Sequence, residues 1–185
     1  MGPFATPSPP PISSTNTFHR MCYIVYDNID TDQIISAGHL TLVPSKPDEY
    51  QKLGYFAYVI LPYPLYQSWP VTDIVLNYHC GSSHVHAPVT LGAAGVNAVV
   101  AESYARIFFR NSVATGEVYP LESEGRLCNE CTTGDMVTVE LKECKLINHT
   151  TGKEYRLKPI RDAGPVIEAS GIFACARKTG MIASK

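Results

Sequence analysis

Long apolar runs and clusters of like charge are missing from this sequence. Only 17% of its 185 residues are charged, and 15 basic against 17 acidic side chains leave a net charge of −2 at pH 7. No apolar run reaches the roughly 18 residues that indicate a membrane-spanning helix, and no basic stripe favours sequence-independent binding to nucleic acid. The hydrophobic content of 45% is sufficient for a core, which excludes a wholly disordered chain.

Proline is abundant instead, with 14 residues, and its distribution is uneven. Residues 1–17 hold five prolines and no charged side chain. Such a segment buries too little apolar surface to offset the entropy of ordering, so we predict a flexible tail at 1–17 and one domain at 18–185. The tail is short and poor in arginine for an organelle transit peptide, although a remnant of one stays open, and it has no apolar segment that indicates secretion.

The six cysteines are interpreted as reduced thiols, because the chain lacks a secretion signal and has enough apolar residues for a core. Cys128 and Cys131 form a lone C-x-x-C without the second pair that a structural zinc site requires. A metal-binding module is an alternative hypothesis for the dense set of possible ligands at 79–86, which comprises His79, Cys80, His84 and His86.

Periodicity and turn residues predict an α/β fold with a parallel core and additional antiparallel strands toward the C-terminus. Residues 73–116 read as strand, helix, strand and helix, the unit of a parallel sheet. Gly116 ends the second of these helices, which Ser103 is expected to cap. The predicted strands lie at 22–26, 55–61, 73–78, 97–101, 136–141, 145–148 and 155–158, and the other helices at 48–53, 87–92 and 171–181.

The turn between the 73–78 strand and the following helix is the strongest candidate site. Gly81, Ser82 and Ser83 stand there, and backbone N–H groups at a helix N-terminus attract anions. Two hydroxyl groups at such a point could bind or deprotonate a carboxylate substrate, but a serine that merely caps the helix is an equally good explanation. Three acidic residues, Asp27, Asp30 and Asp32, could ligate a cation or form a turn that caps a helix.

These motifs resemble a known family, the small subunits of 3-isopropylmalate dehydratase (isopropylmalate isomerase) in the aconitase superfamily. The resemblance covers residues 18–182, and its plant-type features include the segment around Asn148 and Tyr155. It rests on DNIDTDQI at 27–34, CGSS at 80–83, HAP at 86–88, LGAAG at 91–95 and AESYARIFFRNS at 101–112.

The resemblance implies the swivelling β/β/α domain of the aconitase type and a role in leucine biosynthesis. Family members pair with a large subunit that carries a [4Fe–4S] cluster, and the complex moves a hydroxyl group of 2-isopropylmalate, or a related 2-alkylmalate, by dehydration and rehydration. No cofactor or metal is then expected on this chain itself, and no nucleic-acid or membrane partner. A plant-type member would act in the plastid stroma, and any other member in the cytoplasm.

Position in the motifs implies roles for individual residues. Ser82 would be the catalytic base, and Ser83 and His84 would contact the substrate. Asp30, Thr31 and Asp32 would build the neighbouring wall, and residues 38–47 would correspond to the family's specificity loop.

The loop departs from the family pattern, in which an arginine and an acidic residue follow the two serines. Here His84 and Val85 stand at those positions. An arginine fork binds a carboxylate with two hydrogen bonds and is always charged, whereas histidine is shorter and titrates near neutral pH. Losing that contact would cost about 2–4 kcal/mol of transition-state binding, or roughly 30- to 1000-fold in rate. The alternative hypothesis is therefore a diverged member, acting as a regulatory subunit or as an independent catalyst on another small substrate.

Overall fold

The computed structural model describes residues 17–25, 29–57, 74–77, 80–81 and 84–183, with only the backbone of Asp30, 74–77 and 80–81. Its centre is a seven-stranded sheet in the order β6-β5-β3-β1-β7-β8-β9, and β2 and β4 form a separate pair. The strands are β1 (Thr17–Ile24), β2 (Ile29–Asp30), β3 (Ile74–Asn77), β4 (Cys80–Gly81), β5 (Ala98–Ala101), β6 (Tyr119–Glu122), β7 (Met136–Glu140), β8 (Lys145–Asn148) and β9 (Lys153–Arg156).

Strand β1 joins a parallel half of the sheet to an antiparallel half. Its residues 22–24 pair in parallel with β3, which continues in parallel to β5 and β6. Its residues 17–21 pair antiparallel with β7, followed by β8 and β9. The predicted combination of a parallel core with antiparallel strands toward the C-terminus is therefore confirmed.

Six α-helices are described, four before residue 120 and two in the C-terminal region. Within the described ranges, no helix combines the length and apolar character needed to cross a bilayer. The α-helices are α1 (Thr31–Ile34), α2 (Pro47–Phe56), α3 (His86–Ala93), α4 (Arg106–Thr115), α5 (Gly164–Glu168) and α6 (Ile172–Lys178), and short 3-10 turns lie at Ala37–His39, Leu127–Asn129 and Arg161–Ala163.

Helix α2 differs from the prediction at its C-terminal end. The helix was predicted to end at residue 53, but α2 continues to Phe56, so the strand predicted from residue 55 is wrong at 55–57. A Cβ atom on Gly54 would lie 2.5 Å from the carbonyl oxygen of Ala93. The glycine therefore permits the close packing of α2 on α3, which sequence periodicity does not report.

The serine caps considered for α3 and α4 are wrong, because both N-cap positions lie after the serines in the chain. Val85 and Ala105 occupy the N-cap positions, where their apolar side chains cannot accept a hydrogen bond. Ser82 and Ser83 lie outside the described residues, but neither is the residue that precedes α3. The C-terminal prediction for α4 is confirmed, since Gly116 ends it with a φ of 69°.

Two further differences concern strands and burial. Strand β1 begins at Thr17, the last residue of the predicted tail, because its first residues pair with β7. The rest of that tail, residues 1–16, lies outside the described residues and its flexibility stays a prediction. In α4 the apolar side chains differ in burial, since Ile107 is 42% exposed and the neighbouring Phe108 is 1% exposed.

A small apolar cluster supports the segment between α1 and α2. Ile35, Leu53 and Val89 are buried together, and Leu40 and Leu42 pack on them. Since these side chains come from the end of α1, from α2 and from α3, the cluster fixes residues 37–46 beside the start of α3.

Candidate functional site

The β2–β4 pair brings together the two segments that the sequence singled out. Ile29 pairs in parallel with Cys80, and Asp30 with Gly81. Strand β2 leads directly into α1 at Thr31, while Gly81 precedes the Ser82–Ser83 turn in the chain. Ser82 and Ser83 themselves lie outside the described residues, and so does Asp27, so the structure describes the frame on both sides of the predicted turn.

Asp32 and His84 meet across this frame. The Nε2 atom of His84 lies 3.4 Å from Oδ1 of Asp32, with the two side chains 31% and 61% exposed. An ion pair this open to solvent contributes little to stability, on the order of 0–1 kcal/mol when the imidazole is charged. The contact therefore matters for position and not for stability, since it brings the imidazole of His84 beside the start of α1.

Thr31 has a different environment from Asp32. Its side chain is fully buried, and its carbonyl oxygen accepts a hydrogen bond from the backbone N–H of Ile35 at 2.8 Å. Of the predicted wall residues, Asp32 is therefore exposed toward His84, Thr31 is a packing residue of α1, and Asp30 is described through its backbone pairing alone.

The start of α3 also contacts the segment that follows α1. His86, the first residue of α3, places Nε2 3.1 Å from the carbonyl oxygen of Leu42. Because a carbonyl oxygen only accepts, His86 donates this hydrogen bond from an Nε2–H group. From sequence, His86 is only a motif residue and a possible metal ligand, because this contact depends on tertiary structure.

Glu49 secures the same segment from the side of α2. Its Oε2 accepts a hydrogen bond from the backbone N–H of Val43 at 2.6 Å, and its Oε1 lies 2.8 Å from Nζ of Lys46. The first-turn acidic residue of α2 thus closes residues 43–49 into a turn. A glutamate in the first helical turn, two residues after proline, was the only sequence signal for this role.

Metal binding finds no support within the described part of the chain. No group of three or more His, Cys, Asp or Glu side chains there could hold a metal ion. Residues His79 and Cys80 of the metal hypothesis fall where no side chain is described. Cys131, half of the lone C-x-x-C, is buried against the Asn148 amide, with its Sγ 3.5 Å from Nδ2.

Known proteins match this chain along nearly its whole length. The model of the aconitase C-terminal domain matches residues 19–125. The 3-isopropylmalate dehydratase small subunit 1 of Arabidopsis thaliana is 62% identical, with 98% of this chain and 77% of the relative covered. A 3-isopropylmalate dehydratase small subunit of Clostridium acetobutylicum is 37% identical, with 82% of this chain and 91% of the relative covered.

A solved structure supports the fold independently. The crystal structure of a 3-isopropylmalate dehydratase from Methanocaldococcus jannaschii superimposes with a TM-score of 0.75 at 22% identity, covering 89% of this chain and 96% of that one. At that identity the likeness concerns the fold alone, while the sequence relatives carry the assignment. The chain therefore belongs to the family of 3-isopropylmalate dehydratase small subunits, built on the aconitase C-terminal domain.

Proposed function

We propose that this chain is the small subunit of a hydro-lyase that interconverts 2-isopropylmalate and 3-isopropylmalate, or related 2-alkylmalates, in leucine biosynthesis. The observation that carries the proposal is the β2–β4 pairing, which joins the Asp30–Asp32 segment to the chain that enters the serine turn. The names of relatives at 62% and 59% identity support the substrate class.

The residue roles are part of the proposal. Ser82 is the base that removes a proton from substrate, and Ser83 binds a substrate carboxylate. His84 is a further carboxylate contact, oriented by Asp32 at 3.4 Å, and the Asp30 segment forms the wall opposite. Gly81 and His84 stand on either side of the two serines in the chain, and both contact the β2–α1 segment. This placement supports the assignment, because the serines between them must lie close to the same segment.

The reaction requires a large subunit as partner. We assign the [4Fe–4S] cluster to that subunit, as membership of the aconitase family supports. When bound there, the cluster supplies a Lewis acid for the substrate hydroxyl and carboxylate. Location in the plastid stroma, as part of a heterodimer, completes the proposal and is favoured by the likeness to three Arabidopsis relatives.

A co-expression experiment tests this function. The chain is produced with the large subunit of a plant relative, and conversion of 2-isopropylmalate is measured by the absorbance of the unsaturated intermediate. We expect activity well above that of the large subunit alone, and a loss of at least about 100-fold on Ser82→Ala, in the range seen when a positioned acid–base group is removed. Thr151→Ala, which removes an exposed hydroxyl from the β8–β9 turn, should retain full activity.

The alternative hypothesis, a diverged member without isomerase activity, depends on His84, which stands at the family's arginine position. If the assembled complex is inactive and the double variant His84→Arg with Val85→Glu is active, the chain is a diverged member that has lost the isomerase reaction. If both complexes are inactive although the two subunits copurify, the proposed activity is wrong. Activity of the unmodified complex retains the proposal and makes His84 a working substitute for arginine.

A further inference from the structure

The lone C-x-x-C of the sequence, Cys128 and Cys131, lies on a helical turn between β6 and β7, and the proposed reaction does not use it. Cys128 belongs to the 3-10 turn Leu127–Asn129, and the backbone N–H of Cys131 donates to the carbonyl oxygen of Leu127 at 2.9 Å. The two cysteines therefore share one continuous turn. Cα atoms three residues apart in such a turn lie about 5–6 Å from each other, within the roughly 4.4–6.8 Å that a disulfide spans.

The two thiols differ in their access to solvent. Cys131 is 6% exposed and lies among the core side chains of the sheet. Cys128 is only partly buried, and Asn129 and Glu130, which stand between the cysteines, are exposed. A reagent in solution therefore reaches Cys128 first. Burial protects Cys131 from such a reagent, but it does not protect Cys131 from a neighbour on the same turn.

Each sulfur has its own polar contact in the reduced state. Nε of Arg126 donates to Sγ of Cys128 at 3.4 Å, and Nδ2 of Asn148 donates to Sγ of Cys131 at 3.5 Å. The positive charge of Arg126 thus stands beside the more accessible sulfur, and the thiolate is the form that attacks a disulfide. Sulfur is a weak acceptor, and Asn148 also donates to Asp135. Turning the two sulfurs toward each other therefore gives up little.

We propose that Cys128 and Cys131 form a dithiol modification site, which a disulfide oxidant converts into an intramolecular disulfide. The Cys128 thiolate attacks one sulfur of the oxidant, which forms a mixed disulfide and releases the oxidant's first thiol. Cys131 then loses its proton and attacks the Cys128 sulfur, which forms the Cys128–Cys131 bond and releases the second thiol. The two cysteines lose two electrons and two protons in total, and the oxidant takes up both to become two thiols.

The burial of Cys131 makes the second step the slower one. Burial raises the pKa of Cys131, with the Asn148 hydrogen bond opposing the shift, so little of this thiol is ionised at neutral pH. The mixed disulfide on Cys128 should therefore accumulate before the intramolecular bond forms. Cys22 is fully buried and its Sγ donates to the carbonyl oxygen of Thr132 at 3.4 Å, so the oxidant does not reach it in the folded chain.

Oxidised glutathione is the probe that tests the site. The folded full-length chain is incubated with it at pH 8, quenched with acid, alkylated in denaturant and digested with trypsin, which releases both cysteines in the peptide 127–142. We expect this peptide first to carry one glutathione. It should then carry none, be lighter than the reduced peptide by two hydrogen atoms and take up no alkylating reagent. Cys144 and Cys175 have no C-x-x-C partner and should stop at the mixed disulfide.

Single variants separate the two steps. Cys131→Ala removes the resolving thiol, so Cys128 should remain in the mixed disulfide with glutathione. Cys128→Ala removes the attacking thiol, and oxidation of Cys131 should slow at least about 100-fold, because access to it then requires local opening. The control Cys175→Ala should form the 127–142 disulfide at an unchanged rate, and excess dithiothreitol should restore both thiols.

Three results with the unmodified chain would overturn the proposal. They are a mixed disulfide on Cys128 that persists as it does on Cys144 and Cys175, a bond between Cys131 and Cys22, and a 127–142 peptide that stays reduced. Because each is measured without a substitution, a variant that fails to fold does not affect the decision. The assay uses neither a large subunit nor a substrate, so its outcome is independent of the proposed isomerase function.

Discussion

Two partly buried side chains beside α2 and α3, Tyr50 and Glu117, have raised pKa values. The Tyr50 hydroxyl donates a hydrogen bond of 2.7 Å to Oε2 of Glu117. Burial raises the pKa of Glu117, with the Tyr50 hydrogen bond opposing the shift, and burial together with the Glu117 charge raises the pKa of Tyr50. An ionised carboxylate at this position therefore costs folding free energy at neutral pH.

Replacing Glu117 by glutamine should change the pH dependence of stability. The pKa of Glu117 in the folded protein lies above its value in the unfolded chain, which is near 4.3. At pH values between the two, the folded protein keeps the proton and the unfolded chain has released it. The free energy of unfolding of the native chain then falls as pH rises through the interval. Glu117→Gln keeps an acceptor for Tyr50, so urea titrations should show it gaining stability relative to the native chain from pH 4 to pH 7. A difference that is constant over this range would contradict the prediction.

The cysteines separate into protected and accessible thiols. Cys22 is fully buried, and burial, with smaller contributions from Cys131 and Asp135, raises its pKa to about 12. Cys131 is 6% exposed and burial raises its pKa as well. The thiolate is the reactive form, so both groups should resist alkylation in the folded protein.

Alkylation with iodoacetamide at pH 8, followed by peptide mass spectrometry, tests this order. Cys128, Cys144 and Cys175, which are only partly buried, should be modified first. Cys22 and Cys131 should react at least about 100-fold more slowly, as expected when only a small fraction of thiol is ionised and access requires opening. In denaturant these five of the six cysteines should react at similar rates. Equal rates in the native state would refute the assignment.

At the scale of elements, the closest packing is that of α2 on α3. Gly54→Ala would place a methyl group 2.5 Å from the Ala93 carbonyl oxygen, a backbone atom that cannot rotate away. The better helix propensity of alanine is worth about 1 kcal/mol, whereas overpacking a close contact costs about 1–3 kcal/mol or more. We therefore expect a net loss of stability, measured as a lower Tm.

Gly125→Ala is the matched control for that prediction. A Cβ atom at Gly125 would meet no described atom within 4 Å, so this variant should keep its Tm within a few degrees. If Gly54→Ala were as stable as the control, α2 could shift away from α3 without penalty. The close approach would then contribute nothing to stability.

Elements were predictable where local signals agree with tertiary packing. Strand β5 is an apolar run buried on both faces, and Gly116 provides a left-handed cap, so both follow from sequence. The continuation of α2 past Gly54 does not, because its cause is the approach of α3. Strand β6 was missed because it is short and contains Pro120, which pairs at the sheet edge next to β5.

At the scale of the molecule, the sequence predicts which chain segments form the site, but it does not predict the contacts between their side chains. The motifs at 27–34 and 80–88 identified the family and the two chain segments that β2 and β4 bring together. The contacts of Asp32 with His84 and of His86 with Leu42 join residues more than forty positions apart. No local pattern encodes such distances, and they follow only from the folded arrangement.

The whole molecule should unfold as one unit, because β1 belongs to both halves of the sheet. In the antiparallel half, Asn148 Nδ2 donates to Asp135 Oδ2 at 2.7 Å, and the backbone carbonyl of Asp135 accepts from Cys22 of β1.

Asn148→Ala leaves the buried Asp135 carboxylate short of a donor, at a cost of about 2–4 kcal/mol. Native-state hydrogen exchange should show this loss in β8 and equally in β5, which lies in the parallel half. Lys153→Ala, which breaks an exposed ion pair, should change neither strand. Loss of protection confined to β8 would mean that the two halves unfold separately.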